Sequence, residues 1–136
     1  SGYDALFFPG GHGPIFDLAS NEKSGKLILE FLSSGKPVAS VCHGPAALIK
    51  AAELEPSILK GKKVTGFSNV EEKLALRSNN IPYTLEDRLK ELGADYHKGT
   101  LPFISHVEQD GLLITGQNPL SAGPTAKALL DFLKNN

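Results

Sequence analysis

The sequence predicts an α/β fold: a doubly wound, mostly parallel sheet with helices on both faces and an antiparallel hairpin at one edge. The apolar runs at residues 3–8 and 38–41 are short and uninterrupted, which is typical of strands buried on both faces of a parallel sheet. Between these runs, residues 24–34 repeat apolar side chains at helical spacing. Further along, Gln109-Asp110-Gly111 joins two apolar segments and predicts the hairpin.

The predicted elements alternate along the chain as a doubly wound sheet requires. The predicted strands occupy residues 3–8, 38–41, 63–67, 103–108 and 112–115. The predicted helices occupy residues 24–34, 44–52, 71–76, 85–92 and 122–133. Gly35 and Gly93 follow the first and fourth helices as C-terminal stops, and Ser121 can cap the last helix. We therefore expect residues 1–136 to form a single α/β domain.

The composition of the chain favours some kinds of binding partner and cellular compartment over others. The 14 basic and 15 acidic side chains leave a formal charge of -1, which argues against nucleic acid or an anionic membrane as a partner. No stretch reaches the roughly 20 apolar residues that a membrane-spanning helix needs. A single cysteine argues against a disulfide scaffold and favours a reducing, cytoplasmic setting.

Cys42 lies where a predicted strand turns into a helix. Ser40 and Gly44, two places before and after it, are small enough to let strand and helix approach closely, as a nucleophile elbow requires. At the start of a helix the pKa of a cysteine thiol falls from about 8.5 to about 3.5–7.5, which favours the reactive thiolate. His43 could assist as a cation or as a base. The alternative for a single cysteine is a small buried hydrophobic residue.

A glycine-rich loop follows the first predicted strand. Gly10, Gly11 and Gly13 surround His12, so the backbone is free to turn its N–H groups toward a developing oxyanion. This loop and Cys42 both follow carboxyl ends of predicted strands, where doubly wound sheets bind ligands. The alternative is a glycine turn with no role in binding.

Two glutamates follow the third predicted strand at the same edge of the sheet. Either Glu71 or Glu72 could orient a catalytic histidine, although acidic residues at the start of a helix also stabilise its dipole. His97 and His106 have no partners at metal-ligand spacing, so we expect surface or packing roles for them and predict no metal site.

Three segments, taken in order, carry a family resemblance. They are Phe8-Pro9-Gly10-Gly11-His12-Gly13, Ala39-Ser40-Val41-Cys42-His43-Gly44-Pro45-Ala46 and Val64-Thr65-Gly66-Phe67-Ser68-Asn69-Val70-Glu71-Glu72. The chain resembles the ThiJ/PfpI superfamily, which has the flavodoxin-like fold of class I glutamine amidotransferases. With Thr115-Gly116-Gln117-Asn118-Pro119 included, it is most similar to the heat-shock chaperone-like, glutathione-independent glyoxalase group, also called glyoxalase III. The resemblance covers essentially all 136 residues.

The resemblance implies roles for individual residues. It implies Cys42 as the nucleophile, His43 as its partner and Glu72 as the orienting acid, with Glu71 as a close competitor for that last role. It implies no cofactor. The oxyanion and substrate-binding residues that it implies are Gly11, His12 and Gly44, with backbone amides near Gly11 and His43.

The resemblance also implies an activity. Glyoxalase III enzymes are lyases of the D-lactate dehydratase class that convert methylglyoxal, a small α-oxoaldehyde, to lactate without a cofactor. Members of the superfamily also serve in the stress response as chaperones, deglycases or peptidases. A holdase-type chaperone with Cys42 as a redox sensor, or a cysteine peptidase or deglycase, is therefore the alternative expectation.

One part of the family's fold has no counterpart in this sequence. The family begins with another strand and helix, and it carries an early glutamate that hydrogen-bonds the cysteine and assists proton transfer. We therefore expect the N-terminal part to come from a longer enzyme or from a complementing fragment. A homodimer is a further expectation from the resemblance.

Overall fold

The computed structural model describes residues 2–10, 21–75 and 83–135. The strands are β1 (Leu6–Phe8), β2 (Val38–Val41), β3 (Lys63–Val64), β4 (Asp95–Tyr96), β5 (Val107–Asp110) and β6 (Leu113–Gly116). The helices are α1 (Glu22–Ser33), α2 (Ala47–Leu54), α3 (Asn69–Leu74), α4 (Leu85–Glu91) and α5 (Ala122–Asn135). Short 3₁₀ turns lie at Gly44–Ala46, Pro56–Ile58 and Pro119–Ser121.

Within the described residues, the main sheet has the strand order β1-β2-β6-β5. β1, β2 and β6 are parallel, with Val38 of β2 opposite Leu6 on one side and Leu113 on the other. β5 is antiparallel to β6 and forms an edge, so the predicted mostly parallel sheet with an antiparallel hairpin edge is confirmed. β3 and β4 form a second parallel pair, and the Lys63 N–H at the start of β3 donates to Asp110 Oδ2 of β5 at 2.9 Å.

Helices cover both faces of the main sheet because successive side chains of a strand point to opposite faces. Val38 and Leu113 belong to the core that β2 and β6 share with α1 and α2. Ala39 and Ile114, the next residues along the same strands, pack with Leu129 of α5 on the other face. Each inner strand is therefore apolar on both faces, which explains the uninterrupted apolar runs in the sequence.

Asn21 determines where α1 begins. Its side chain accepts a hydrogen bond from the Ser24 N–H at 3.0 Å, as an N-cap residue does. α1 therefore begins two residues before the predicted start, and Ile28 and Phe31 are buried where α1 packs against α2. Among the residues that the structure describes, neither α1 nor any other helix has the length and apolar character needed to cross a membrane.

The strand predicted at residues 63–67 is shorter in the structure. β3 ends at Val64 because the following backbone leaves the sheet. The N–H group of Thr65 donates to Thr115 Oγ1 at 2.9 Å, and the N–H group of Phe67 donates to the Cys42 carbonyl at 2.9 Å. The segment after β3 is thereby drawn toward the carboxyl end of β2.

The strand predicted at residues 103–108 also starts later, at Val107. Phe103 has a φ of 57°, a left-handed conformation that does not continue a strand. β4 has no counterpart among the predicted strands. It contains only Asp95 and Tyr96, and its pairing with β3 is a tertiary contact that local sequence does not encode.

Candidate active site

The backbone bends sharply at Cys42, directly after β2. Cys42 has a φ of 62°, in the left-handed region that residues other than glycine seldom adopt. Its N–H donates to the Gly116 carbonyl at 2.9 Å, and its own carbonyl accepts from the Phe67 N–H at 2.9 Å. The end of β6 and the segment after β3 thus hold the bend from two sides. Cys42 is only 7% exposed.

Two glycines let the chain pack tightly around this bend. A Cβ atom on Gly44 would lie 2.3 Å from the Phe8 carbonyl oxygen, so the turn can contact the end of β1 only because this position has no side chain. A Cβ atom on Gly10 would lie 2.7 Å from Cβ of Cys42 and 3.3 Å from its Sγ. Gly44 therefore provides the close approach that the elbow pattern requires, and Ser40 is buried within β2.

His43 lies between the sulfur of Cys42 and the carboxylate of Glu72. Its Nδ1 atom is 3.7 Å from Sγ, and its Nε2 atom is hydrogen-bonded to Glu72 Oε1. Both His43 and Glu72 are almost completely buried. If the Nε2 proton is donated to the carboxylate, the Nδ1 lone pair faces the thiol and can accept its proton.

The sequence at the start of α3 decides which of the two adjacent glutamates faces His43. Ser68 Oγ accepts from the Glu71 N–H at 3.2 Å, and the Glu71 carboxylate accepts from the Ser68 N–H at 3.0 Å. This reciprocal capping box turns Glu71 back toward the helix start. Glu72, about 100° further round the helix, contacts His43 instead. The spacing Ser68-x-x-Glu71 is a sequence signal for this arrangement that the sequence prediction did not use.

Glu71 is buried in a separate hydrogen-bond network. Within the described residues, its two carboxylate oxygens accept hydrogen bonds from Ser68, Phe103, Gln117 and Asn118. Burial alone raises the pKa of the Glu71 carboxyl, but these hydrogen bonds outweigh burial and hold the pKa below its ordinary value. Glu71 is therefore an ionised acceptor at neutral pH.

Aromatic rings form one side of the site. The Phe67 ring packs on the His43 ring with their centroids 4.4 Å apart, and the Phe103 ring meets Phe67 edge-on at 5.7 Å. Phe67 and Phe103 belong to the same apolar cluster as Cys42. The thiol and the imidazole thus share surroundings of low polarity on this side.

Other predicted residues lie outside this group. Gly11 and His12 of the predicted oxyanion loop are not among the described residues, so their role stays a prediction. His97 and His106 each contact an acidic side chain two positions away. In the described part of the chain, no three His, Cys, Asp or Glu side chains are grouped in a way that could hold a metal ion.

The sequence as a whole matches a known family. The sequence model of the DJ-1/PfpI family covers residues 1–131. The chain belongs to the DJ-1/PfpI family. A probable glutathione-independent glyoxalase of Schizosaccharomyces pombe is 40% identical over 140 residues, which cover 96% of this chain and 53% of that protein. Several curated relatives at 30–40% identity are named glutathione-independent glyoxalases.

Solved structures of related proteins have the same fold as this DJ-1/PfpI chain. The Rapid Encystment Protein of Francisella tularensis is 40% identical, with a TM-score of 0.87 over 93% of this chain and 56% of that one. Glyoxalase III of Candida albicans is 30% identical, with a TM-score of 0.83 over 95% of this chain and 56% of that one. These matches confirm the predicted α/β fold and the resemblance to the glyoxalase III group. The chain spans 53–63% of the length of the first curated relatives it matches.

Proposed function

We propose that this protein is a glutathione-independent glyoxalase that uses the Cys42 thiol to convert methylglyoxal to lactate. The observation that carries the proposal is the row formed by Cys42 Sγ, the His43 imidazole and the Glu72 carboxylate. A thiol, a base and an acid that orients the base are the parts that nucleophilic catalysis needs. The names of the relatives at 30–40% identity support the choice of substrate class.

The first proposed step is addition of the thiol to the aldehyde. His43 Nδ1 accepts the thiol proton, and Cys42 Sγ attacks the aldehyde carbon. As the C–S bond forms, the carbonyl π electrons move to the oxygen, which takes up a proton to give a hemithioacetal. Glu72 stabilises the imidazolium through its contact with Nε2.

The second proposed step moves hydrogen between the two carbons. His43 removes the proton from the carbon that carries sulfur, and the electron pair forms an enediol with the neighbouring carbonyl. Protonation of the neighbouring carbon then gives the thioester of lactate. The aldehyde carbon is oxidised and the ketone carbon is reduced, so no external oxidant is needed. Water hydrolyses the thioester, releases lactate and restores the thiol.

The surroundings of the sulfur favour a small substrate. Cys42 is only 7% exposed, which favours a compact aldehyde over an extended polypeptide strand as the substrate. The Phe67 and Phe103 rings lower the local polarity, which strengthens the interaction between the charged thiol and imidazole. This supports a glyoxalase over a peptidase.

The proposal includes the compartment in which the enzyme acts. The reaction needs a reduced thiol, and an oxidised Cys42 could not attack an aldehyde. A lone cysteine thiol persists in reducing compartments, so we place the activity in the cytoplasm.

The direct test is lactate formation from methylglyoxal without glutathione. Wild type and the variant Cys42→Ala are compared at equal concentration, with circular dichroism to confirm that both are folded. The proposal predicts lactate formation by the wild type and none above the uncatalysed rate by Cys42→Ala. Equal lactate formation by the two proteins would refute it.

A further inference from the structure

We propose that Glu71 is a positioning residue of the thiol site, which acts on His43 through the aromatic pair Phe103 and Phe67. Its carboxylate holds the loop that carries Phe103, Phe103 supports Phe67, and Phe67 fixes the plane of the imidazole. The activity part of this inference rests on the proposed glyoxalase function. The structural part concerns the reactivity of Cys42 alone.

Glu71 joins three segments of the chain at one point. In the described residues, Oε1 accepts from Ser68 before α3 and from Gln117 Nε2 after β6, at 3.0 and 2.9 Å. Oε2 accepts from the Phe103 N–H and from Asn118 Nδ2, both at 2.8 Å. Each of these partners is a donor, and an ionised carboxylate is an acceptor only. A glutamate is therefore the matching residue, since an amide would place its own N–H₂ against one pair of donors.

The hydrogen bond to Phe103 fixes an unusual backbone. Phe103 has a φ of 57°, which bulky residues rarely adopt. In this conformation its N–H donates to Glu71 Oε2 at 2.8 Å. Without the carboxylate, the loop is free to return to an ordinary φ, and the ring would move with it.

Contacts between aromatic rings link the position of Phe103 to that of the His43 imidazole. Phe103 meets Phe67 edge-on at 5.7 Å, and Phe67 packs on His43 at 4.4 Å. The Nδ1 atom of His43 is 3.7 Å from Cys42 Sγ, so a small rotation of the imidazole changes how well it stabilises the thiolate. Rigid packing around a catalytic group is what keeps such a distance short.

The alkylation rate of Cys42 by iodoacetamide, measured from pH 6 to 10, reports on this coupling directly. Cys42 is the only cysteine, so the rate comes from one thiol. Among the described residues, the titratable groups beside it are His43 from the turn after β2, which contacts the thiol, and Glu72 from α3, which contacts His43. For Glu71→Gln, we expect the midpoint of the rate profile to rise toward the pKa of a free thiol, about 8.5. We also expect kcat for methylglyoxal to fall about tenfold, with KM changed less than about threefold.

Asp110→Asn is the matched control. Asp110 also accepts a backbone N–H across two strands, but it lies beside Leu113, at the opposite end of β6 from Gly116 and Cys42. We expect its alkylation midpoint to equal that of the wild type. If Glu71 has only a structural role, Glu71→Gln will lower the melting temperature as Asp110→Asn does and leave the alkylation midpoint unchanged. That result would overturn the proposal.

Phe103→Gly keeps the proposal testable if Glu71→Gln does not fold. Glycine suits a φ of 57° and keeps the N–H that Glu71 accepts, while the ring is lost. The proposal requires the same upward shift of the alkylation midpoint. If the alkylation midpoint of Phe103→Gly equals that of the wild type, the coupling through the rings is refuted. It is also refuted if the midpoint shifts in Phe103→Gly but not in Glu71→Gln. If the wild type makes no lactate, the glyoxalase proposal fails, while the alkylation profiles still decide the role of Glu71.

Discussion

At the scale of single residues, the site combines a bent backbone at Cys42 with a buried base and acid. The sequence predicted Cys42 and His43 as candidate site residues because they are adjacent in the chain and flanked by small residues. The choice between Glu71 and Glu72 as the partner of His43 needed the orientation of α3, which Ser68 sets as the N-cap. The oxyanion function expected of Gly11 and His12 stays a prediction.

We expect Glu72→Gln to lower kcat for methylglyoxal by about 100-fold or more. In the proposed mechanism the carboxylate accepts a hydrogen bond from His43 Nε2, which keeps the Nδ1 lone pair toward the thiol. An amide can donate to Nε2 instead and favour the wrong tautomer. Steady-state lactate production measures the effect.

Glu86→Gln is the control for loss of a buried carboxylate. Glu86 is 5% exposed and accepts from the Asn69 N–H at 2.9 Å, without contact to His43. We expect its kcat to remain near that of the wild type. A Glu72→Gln enzyme that is as active as Glu86→Gln would contradict the proposed role of Glu72.

At the scale of secondary-structure elements, the sequence predicted those elements whose bounds depend on neighbouring residues in the chain. β2 has the predicted bounds because its apolar run is flanked by Pro37 and by the bend at Cys42. β4 could not be predicted, since two residues become a strand only through pairing with β3. The strand expected from residue 103 begins only at Val107, and the Phe103 N–H is instead bound by a side chain distant in sequence.

We expect Gly44→Ala to lower the free energy of unfolding by about 1–3 kcal/mol. The new Cβ atom would lie 2.3 Å from the Phe8 carbonyl oxygen, and neither the end of β1 nor the turn after Cys42 can move without loss of packing. Urea denaturation of both proteins measures the difference.

Gly123→Ala is the matched substitution in α5. A Cβ atom there would meet nothing within 4 Å, and alanine favours helix by about 1 kcal/mol. We expect this variant to be as stable as the wild type or slightly more stable. Equal stability of Gly44→Ala and Gly123→Ala would show that the turn does not need the close approach.

At the scale of the whole molecule, the site lies where separate parts of the chain meet. The carboxyl ends of β2 and β6 provide Cys42 and Gln117, α3 provides the two glutamates, and the loop before β5 provides Phe103. The sequence predicted that the carboxyl ends of the parallel strands lie at the same edge of the sheet, because a doubly wound topology places them there. The buried carboxylate that ties these parts together could not be predicted, because its partners are far apart in the sequence.

We expect stability to fall in acid partly because of Glu71. Its pKa is below the ordinary 4.5 in the folded state, so the unfolded state binds the proton first. The stability that the ionised group contributes is therefore complete above about pH 4.5 and is lost as the pH falls through the lower folded-state pKa. Urea denaturation between pH 3 and 7 should show a shallower acid loss for Glu71→Gln than for the wild type. Identical slopes would contradict this assignment.

In the proposed mechanism, Cys42 Sγ bonds to the substrate during turnover. The most direct measurement is mass spectrometry of the wild-type protein, quenched during reaction with methylglyoxal in the absence of glutathione. If the thiol is the nucleophile, we expect an added mass of one methylglyoxal on the peptide that contains Cys42, and loss of that mass as lactate accumulates. Lactate formation while Cys42 remains unmodified throughout would exclude a covalent role for its thiol.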